Sequence, residues 1–269
     1  MKEVIKLLEK HVCERKIDRH QGLNALLDFL VDMFDRSHYK KNDFFENCKI
    51  QAQKEPYLYQ VAIIWMGKVS NALDKGTWID FFGEIYEAMY QSNRKASTLG
   101  QFFTPPPVCD IMGISSVPSN DTINDSACGS GRTLLAAAAS SCFSRNNIYV
   151  GEDIDFVSVK MFALNLMIHG CQGKVVQHDT LINPILYDYG FRINDIRYPI
   201  PTPFYSLTRI SLTKEDIARK NERIRERDGD NVNVEQYNGY EVVKPNGKPK
   251  PLFDKEECVQ SYTQLSLFD

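Results

Sequence analysis

The sequence lacks several features that would each point to a particular class of protein. Its seven cysteines are scattered without a Cys-x-x-Cys pair, which argues against structural zinc and against a disulfide scaffold. No apolar run approaches the roughly 20 residues that span a membrane, and the first residues mix acids and bases without the apolar core of a signal peptide. The net charge of −3 gives no overall basic surface for nucleic acid, although a local basic groove stays open. We therefore expect a protein of the reducing cytoplasm.

The 269 residues are enough for one large domain or two small ones, and the pattern along the chain divides it into three parts. Residues 1–97 carry apolar side chains at helical spacing and predict a helical N-terminal domain. In residues 98–210, strands and helices alternate up to about residue 182, which predicts an α/β domain with a parallel sheet. Residues 211–269 predict a charged helix, then an irregular or hairpin segment, and a C-terminal tail.

A glycine turn in the second part is the strongest local signal. Gly129 and Gly131 stand between the strand-forming Thr122-Ile123 and a run of leucine and alanine that predicts a helix. Glycine lets the main chain come close to a ligand, and the first N–H groups of the helix then face that ligand. Many glycine turns of this kind are only structural corners, so the neighbouring residues must decide.

Three carboxylates fall at the ends of three predicted strands, at Asp125, Asp153 and Asp179. Ligands of doubly wound sheets bind beyond the carboxyl ends of the strands. An acid about twenty residues after the glycine turn commonly binds ribose hydroxyls. Each aspartate could instead cap the helix that follows it. Three acids at equivalent places favour a nucleoside pocket.

The spacing of the glycines distinguishes two nucleoside cofactors. A dinucleotide fold has Gly-x-Gly-x-x-Gly, whereas residues 129–134 lack the last glycine. A Gly-x-Gly turn after an aspartate is the form that binds S-adenosylmethionine. The pattern therefore favours S-adenosylmethionine, and a dehydrogenase is the weaker interpretation.

At this point the residues resemble a known family, the adenine-N6 DNA methyltransferases, and in particular the modification subunit of type I restriction systems. Four segments in the same order carry the resemblance: Leu99-Gly100-Gln101-Phe102-Phe103-Thr104-Pro105, Asn124-Asp125-Ser126-Ala127-Cys128-Gly129-Ser130-Gly131, Gly151-Glu152-Asp153 with Ala163-Leu164-Asn165-Leu166, and His178-Asp179-Thr180-Leu181. Ser126 stands where the family has proline, and His178 where it has glycine. The resemblance covers about residues 1–182.

The resemblance implies a helical N-terminal domain followed by a Rossmann-like methyltransferase domain, here without clear strands for a complete seven-stranded sheet. It also implies the cofactor-binding residues. One group would lie over the methionine part of the cofactor: Gln101, Phe102, Phe103, Thr104 and Pro105. The others would form the glycine loop and the contacts to ribose and adenine: Asp125, Ala127, Cys128, Gly129, Gly131, Asp153 and Asp179. The implied partners are DNA and a specificity or restriction subunit.

The transfer motif of the family, Asn/Asp/Ser-Pro-Pro-Tyr/Phe, does not occur in the sequence. In that motif an acceptor side chain binds the target amine and an aromatic ring stacks on the flipped-out base. The best-spaced substitutes are Thr202, Pro203 and Phe204. The protein is therefore either a methyltransferase with a degenerate motif or an inactive relative that binds cofactor or DNA. A third interpretation is a purely structural partner subunit.

The chain ends in a short apolar tail whose residues are Gln264, Leu265, Ser266, Leu267, Phe268 and Asp269. The tail resembles the peptide by which bacterial proteins dock on the DNA polymerase sliding clamp. Leu267 and Phe268 would anchor such a peptide in an apolar pocket, Gln264 would orient it through hydrogen bonds, and Leu265 belongs to the same binding segment. The alternative is a tail that packs on its own domain.

Overall fold

The computed structural model describes residues 1–35, 44–90, 103–115, 119–180, 189–195, 205–211, 214–237 and 240–245. The chain divides into two compact units, Met1–Leu212 and Thr213–Asp269. None of the helices in the described ranges has the length and apolar character needed to cross a membrane. The linker predicted at residues 92–97 lies outside the described residues.

The described residues of the first part of the chain are mainly helical. Its helices are α1 (Lys2–Arg15), α2 (Arg19–Phe34), α3 (Phe44–Lys54), α4 (Pro56–Leu73) and α5 (Phe81–Tyr90). Asp18 begins α2 with a capping box, in which its side chain accepts from Gln21 N while the Gln21 side chain accepts from Asp18 N. Trp65 of α4 and Phe81 and Phe82 of α5 are fully buried and lie T-shaped or tilted against one another, so they belong to the core. The sequence analysis did not predict α3.

In the described residues, the second part forms a five-stranded sheet with three further helices. Its elements are α6 (Pro106–Ser115), β1 (Thr122–Asp125), α7 (Arg132–Ser140), β2 (Ile148–Asp153), α8 (Phe156–Ile168), β3 (Gln172–Gln177), β4 (Tyr189–Ile193) and β5 (Leu207–Ile210). The strands are ordered β1-β2-β3-β4-β5. Both β1–β2 and β2–β3 pair in parallel, which confirms the prediction for these three strands.

Two antiparallel strands, β4 and β5, extend this sheet beyond β3. The sequence analysis found no strand pattern there, because each strand has only four or five residues and alternates imperfectly. Gly190 lets β4 approach β3: a Cβ at this position would lie 2.4 Å from the carbonyl oxygen of Val175. At the end of β4, Asn194 donates to the carbonyl oxygens of Met167 and Cys171 and accepts from Ser206 N. This side chain ties the two added strands to the end of α8.

Helix α8 lies between the N-terminal helices and the sheet, and every residue from Val157 to Ile168 is buried. It contacts α2 and α5 as well as β2, β3 and β4, which explains why it is apolar on all sides. The buried Lys160 of α8 forms an ion pair with Asp28 of α2 (2.5 Å). One apolar core thus continues from α1 to β5. A domain boundary at residue 97 stays a prediction.

The second unit contains α9 (Lys214–Asp228) and the antiparallel hairpin of β6 (Val232–Tyr237) and β7 (Tyr240–Pro245). Ile217 and Ile224 of α9 are buried, as is Val243 of β7. Asn221 joins the two elements, since it donates to the carbonyl oxygen of Glu241 and accepts from Val243 N. The structure thus has a charged helix and a hairpin where the sequence predicted a charged helix followed by an irregular or hairpin segment.

Candidate cofactor site

The three predicted carboxylates lie at one edge of the sheet, where β1, β2 and β3 end. Asp125 and Asp153 are the last residues of β1 and β2, and Asp179 follows β3 by two residues. All three side chains are partly exposed. Thr180 donates to the carbonyl oxygen of Ser126 (3.4 Å), so the segment after β3 touches the turn after β1. The structure therefore brings together the strand ends that the sequence analysis selected.

The glycine loop joins β1 to α7 and is held by the end of β2. Gly129 and Gly131 both have positive φ angles, of 51° and 94°, which favour glycine. The N–H of Cys128 donates to the carbonyl oxygen of Glu152 (3.0 Å), and the N–H of Gly129 donates to Asp153 Oδ2 (2.8 Å). One loop amide thus binds a main-chain oxygen of β2 and the next binds a carboxylate of β2.

The two glycines also leave room for aromatic rings, which the sequence analysis did not predict. A Cβ at Gly129 would lie 3.0 Å from the Phe103 ring, and a Cβ at Gly131 would lie 2.9 Å from the Phe162 ring. The loop is therefore packed between a ring that precedes α6 and a ring of α8. A side chain at either glycine would strain the backbone and displace one of these rings.

The Asp153 carboxylate holds the glycine loop and can also accept hydrogen bonds from a ligand. Its Oδ2 accepts from Gly129 N and its Oδ1 accepts from Asp155 N (2.9 Å). Burial raises the pKa of Asp153, and these two hydrogen bonds oppose the rise. A carboxylate has about four acceptor sites, so the described residues leave two for hydroxyl groups such as those of ribose.

Asp125 is held in a similar way on the other side of the loop. Its Oδ1 accepts from Ala127 N (3.1 Å), and its Oδ2 accepts from the hydroxyl of Thr133 at the start of α7. Because both donors come from the loop region, the carboxylate is fixed relative to the first turn of the helix. Its remaining acceptor sites fit an ammonium or hydroxyl group of a ligand.

The segment Phe103–Pro105 precedes α6 and reaches the glycine loop. The Phe103 ring contacts Gly129 and lies 5.2 Å from the Tyr86 ring, centroid to centroid. The Arg132 guanidinium lies 5.2 Å from the centroid of the Phe103 ring, within the range of a cation–π contact. The carbonyl oxygen of Thr104 accepts from Arg132 Nη1 (3.4 Å). Gln101 and Phe102 of this motif lie outside the described residues.

Two further residues beside the loop have structural explanations. The Cys128 side chain is buried, and burial raises the pKa of its thiol well above the usual value, so a neutral packed thiol results. His178 is buried and its Nδ1 lies 2.9 Å from Glu152 Oε2. Glu152 alternates with Asp153 along β2, so this pair lies on the opposite face of the sheet from the Asp153 side chain.

Two predicted groups of residues fall outside the part of the chain that the structure describes. These are the transfer candidates Thr202, Pro203 and Phe204, and the tail residues Gln264, Leu265, Leu267 and Phe268. Conversely, the sequence analysis did not select Asp80, Glu87 or Arg132, and it quoted Asn165 only within a resemblance segment, without a role. Asp80, Arg132 and Asn165 meet at Ser130 of the glycine loop or beside it, and Glu87 binds Arg132. No local motif marks these four residues as a group, because they are far apart in the chain.

A glycine loop after the first strand, with an acid at each of three adjacent strand ends, is typical of α/β proteins that bind a nucleoside cofactor. A profile of the N-6 DNA methylase family matches residues 77–240, which is more than half of the chain. The chain therefore belongs to the N-6 DNA methylase family.

Two curated proteins illustrate this similarity. The methylase subunit of the type I restriction enzyme MjaVIII from Methanocaldococcus jannaschii is 32% identical over 111 residues, which cover 39% of this chain and 19% of the relative. The methylase subunit of the type I restriction enzyme EcoEI from Escherichia coli is 26% identical over 168 residues, which cover 54% of this chain and 33% of the relative. The matches thus span a third or less of either relative. No solved structure gives a significant match.

Proposed function

We propose that this chain binds S-adenosylmethionine at the carboxyl edge of β1–β3, as the cofactor-binding part of a DNA adenine-N6 methyltransferase-like protein. In this proposal residues 98–210 form a Rossmann-like domain and residues 1–97 its helical N-terminal domain. The observation that carries the proposal is the glycine loop held against Asp153 with two partly exposed carboxylates beside it. Family membership supports the choice of cofactor, because the family depends on S-adenosylmethionine.

The residues present fit the three chemical parts of that cofactor. Asp153 has acceptor sites for the ribose hydroxyls, and Asp179, two residues beyond β3, would accept from the adenine amine. Asp125 and the Gly129–Gly131 main chain would hold the charged amino-acid end, with Phe103, Thr104 and Pro105 over it. When bound, the cofactor supplies a methyl group activated by its sulfonium centre.

Calorimetric titration with S-adenosylmethionine and with its demethylated product tests cofactor binding. We expect heat of binding with both ligands, and much weaker binding by the Asp153→Asn variant. Asp121→Asn is the matched control, because Asp121 is an exposed acid directly before β1, at the opposite end of the strands. Wild-type protein that is folded and gives no heat with either ligand would refute the proposal.

Methyl transfer is a separate part of the proposal. Thr202, Pro203 and Phe204 are the residues through which this chain would bind a flipped adenine, with the Thr202 hydroxyl accepting from the amine and the Phe204 ring stacking on the base. Transfer is measured with tritiated cofactor on unmethylated DNA, with and without a specificity subunit. Incorporation that disappears in Phe204→Ala would establish the degenerate motif.

The second candidate function is an inactive DNA-associated accessory or partner subunit that retains the cofactor pocket. The observation that favours it is the absence of Asn/Asp/Ser-Pro-Pro-Tyr/Phe from the sequence. The relatives are named as methylase subunits of restriction enzymes, which supports DNA and a specificity or restriction subunit as partners. Cofactor binding without any incorporation into DNA, under all partner conditions, would support this second function over the first.

The tail is proposed as a docking peptide for the DNA polymerase sliding clamp. Gln264, Leu265, Leu267 and Phe268 would occupy the clamp pocket, and tethering would raise the local concentration of the protein at newly replicated DNA. Fluorescence polarisation of a labelled tail peptide with purified clamp tests this. We expect saturable binding that Phe268→Ala abolishes, and an unchanged affinity in that variant would contradict the proposal.

A further inference from the structure

Asp80 is a buried carboxylate that stands at the start of α5, outside every motif of the cofactor site. Its side chain is only 3% exposed. Its Oδ1 accepts from Gly83 N (2.8 Å), and its carbonyl oxygen accepts from Glu84 N (3.1 Å), so it caps the first turn of the helix. An N-terminal cap alone would not require such deep burial.

Three further donors reach the same carboxylate from other parts of the fold. Ser130 Oγ of the glycine loop donates to Oδ2 (2.6 Å), and Arg132 Nε at the start of α7 donates to the same oxygen (2.5 Å). Asn165 Nδ2 of α8 donates to Oδ1 (2.7 Å) and also to the carbonyl oxygen of Ser130 (2.9 Å). Four donor groups therefore use the roughly four acceptor sites of one carboxylate. Asp80 has no capacity left for a ligand.

Arg132 extends this cluster to the segment over the loop. Its two terminal nitrogens donate to the two oxygens of Glu87 (2.8 and 2.9 Å), and Nη1 also donates to the carbonyl oxygen of Thr104. The guanidinium lies against the Phe103 ring as described above. Asp80 therefore binds the glycine loop directly through Ser130, and it is linked to the Phe103–Pro105 segment through Arg132.

Gly83 gives independent support for the importance of this approach. A Cβ at Gly83 would lie 1.8 Å from Asp80 Oδ2 and 2.8 Å from Ser130 Oγ. Any side chain on this turn of α5 would therefore push the carboxylate and the loop serine apart. By contrast, a Cβ at Gly67 in α4 would meet nothing within 4 Å.

We propose that Asp80 is a positioning residue for the cofactor site: it fixes Ser130 and Arg132, and through them sets the conformation of the glycine loop and of the Phe103–Pro105 segment. The inference rests on the proposed function for its ligand, S-adenosylmethionine. Ser130 is 1% exposed and Arg132 is 5% exposed. The cluster therefore acts on the ligand through the loop main chain and the Phe103–Pro105 segment.

The test compares two variants that disturb the cluster with two matched controls. Asp80→Asn removes the charge, and Gly83→Ala adds one methyl group. The control for the first is Lys160→Met, which breaks the ion pair between the buried Lys160 and the exposed Asp28, and the control for the second is Gly67→Ala. Each full-length protein is checked for folding by circular dichroism. The dissociation constant for S-adenosylmethionine is then measured by calorimetry, and amide hydrogen exchange of residues 128–133 is measured without ligand.

We expect Asp80→Asn to raise the dissociation constant by at least about tenfold, as for the loss of a hydrogen bond to a charged group. Gly83→Ala should act in the same direction, and both controls should stay within about twofold of wild type. Exchange of residues 128–133 should be faster in the two test variants and unchanged in the controls, because only the former loosen the loop. Ser130→Ala replaces Asp80→Asn if the latter does not fold.

Wild-type affinity together with wild-type exchange in folded Asp80→Asn, or in Ser130→Ala where that variant is used, would overturn the proposal. An equal loss of affinity in Lys160→Met would also overturn it, since the loss of a buried charged side chain away from the loop would then have the same effect. If wild-type protein does not bind S-adenosylmethionine, the proposed function fails. The exchange of residues 128–133 without ligand then decides alone whether Asp80 holds the loop.

Discussion

The glycine loop lies between two carboxylates that differ in surroundings. Asp80 binds the loop through Ser130 and Arg132, is buried, and accepts from four groups of its own chain. Asp153 binds the loop through Gly129 N, is partly exposed, and accepts from two donor groups among the described residues. Burial raises the pKa of both carboxyls. The comparison indicates that the number of internal donors separates an acid that holds the fold from an acid that is available to a ligand.

The largest expected effect tests the saturated side of this comparison. Asp80→Asn should lower the free energy of unfolding by about 3 to 5 kcal/mol, the usual result of removing one partner from a buried ion pair. The reason is that the buried Arg132 loses the buried carboxylate that binds its Nε. Glu87 is then its remaining anionic partner. Urea denaturation measures the change. A loss below about 1 kcal/mol would mean that Asp80 contributes no more than a surface acid.

The second prediction concerns His169, whose ring links Asn165 to Ile79, the residue before Asp80. Its Nδ1 donates to the carbonyl oxygen of Asn165 (2.6 Å), and its Nε2 accepts from Ile79 N (3.3 Å), so the buried ring is neutral. Burial lowers the pKa of His169 from its usual 6.5 to about 4. As the pH falls, the unfolded chain therefore takes up a proton near 6.5, before the folded chain does near 4.

Above about pH 6.5, His169 is neutral in both the folded and the unfolded chain, so its burial has no protonation cost. As the pH falls from about 6.5 to about 4, only the unfolded chain is protonated, and the free energy of unfolding therefore decreases. At about 1.4 kcal/mol for each pKa unit, the loss is about 3 kcal/mol. Urea denaturation between pH 7 and pH 4 measures it. His169→Asn should remove this part of the pH dependence, because an amide does not titrate. A wild-type slope in that variant would show that other groups carry the dependence.

The local sequence predicted the carboxylates proposed to contact the ligand much better than the residues that hold the glycine loop in place. Asp125 and Asp153 could be predicted because each closes a short strand-forming segment, and parallel strands place such residues at one edge. Asp80 could not be predicted, since its partners Ser130 and Asn165 are 50 and 85 residues away in the chain. Such contacts follow from how α5 and α8 pack together, which no local pattern encodes.

The sheet shows the same division between local and non-local information. The first three strands could be predicted because strands that alternate with helices form a parallel sheet with right-handed crossovers. β4 and β5 are short, and their positions depend on close approach at Gly190 and on the three hydrogen bonds of Asn194. Neither residue type by itself predicts a strand.

The third prediction tests the ligand side of the comparison. Asp153→Asn should weaken binding of S-adenosylmethionine by about tenfold or more, because an amide replaces a charged acceptor of the ribose hydroxyls. The free energy of unfolding should change by less than about 1 kcal/mol, since the side chain is partly exposed and its Oδ1 still accepts one amide. Calorimetry and urea denaturation on one preparation measure both. A large loss of stability with normal affinity would mean that Asp153 holds the fold and does not bind the ligand.

The smallest expected effect tests whether burial causes the loss of stability predicted for Asp80→Asn. Glu9 accepts from Arg19 Nη2 (2.9 Å), and both side chains are nearly half exposed. Glu9→Gln makes the same change as Asp80→Asn, from a carboxylate paired with arginine to an amide of nearly equal size. Water already solvates both partners, so the free energy of unfolding should change by no more than about 0.5 kcal/mol, and less in high salt. Urea denaturation of the two variants side by side therefore compares one substitution in two environments. Equal losses would mean that the charge, and not the enclosure of the pair, determines the effect.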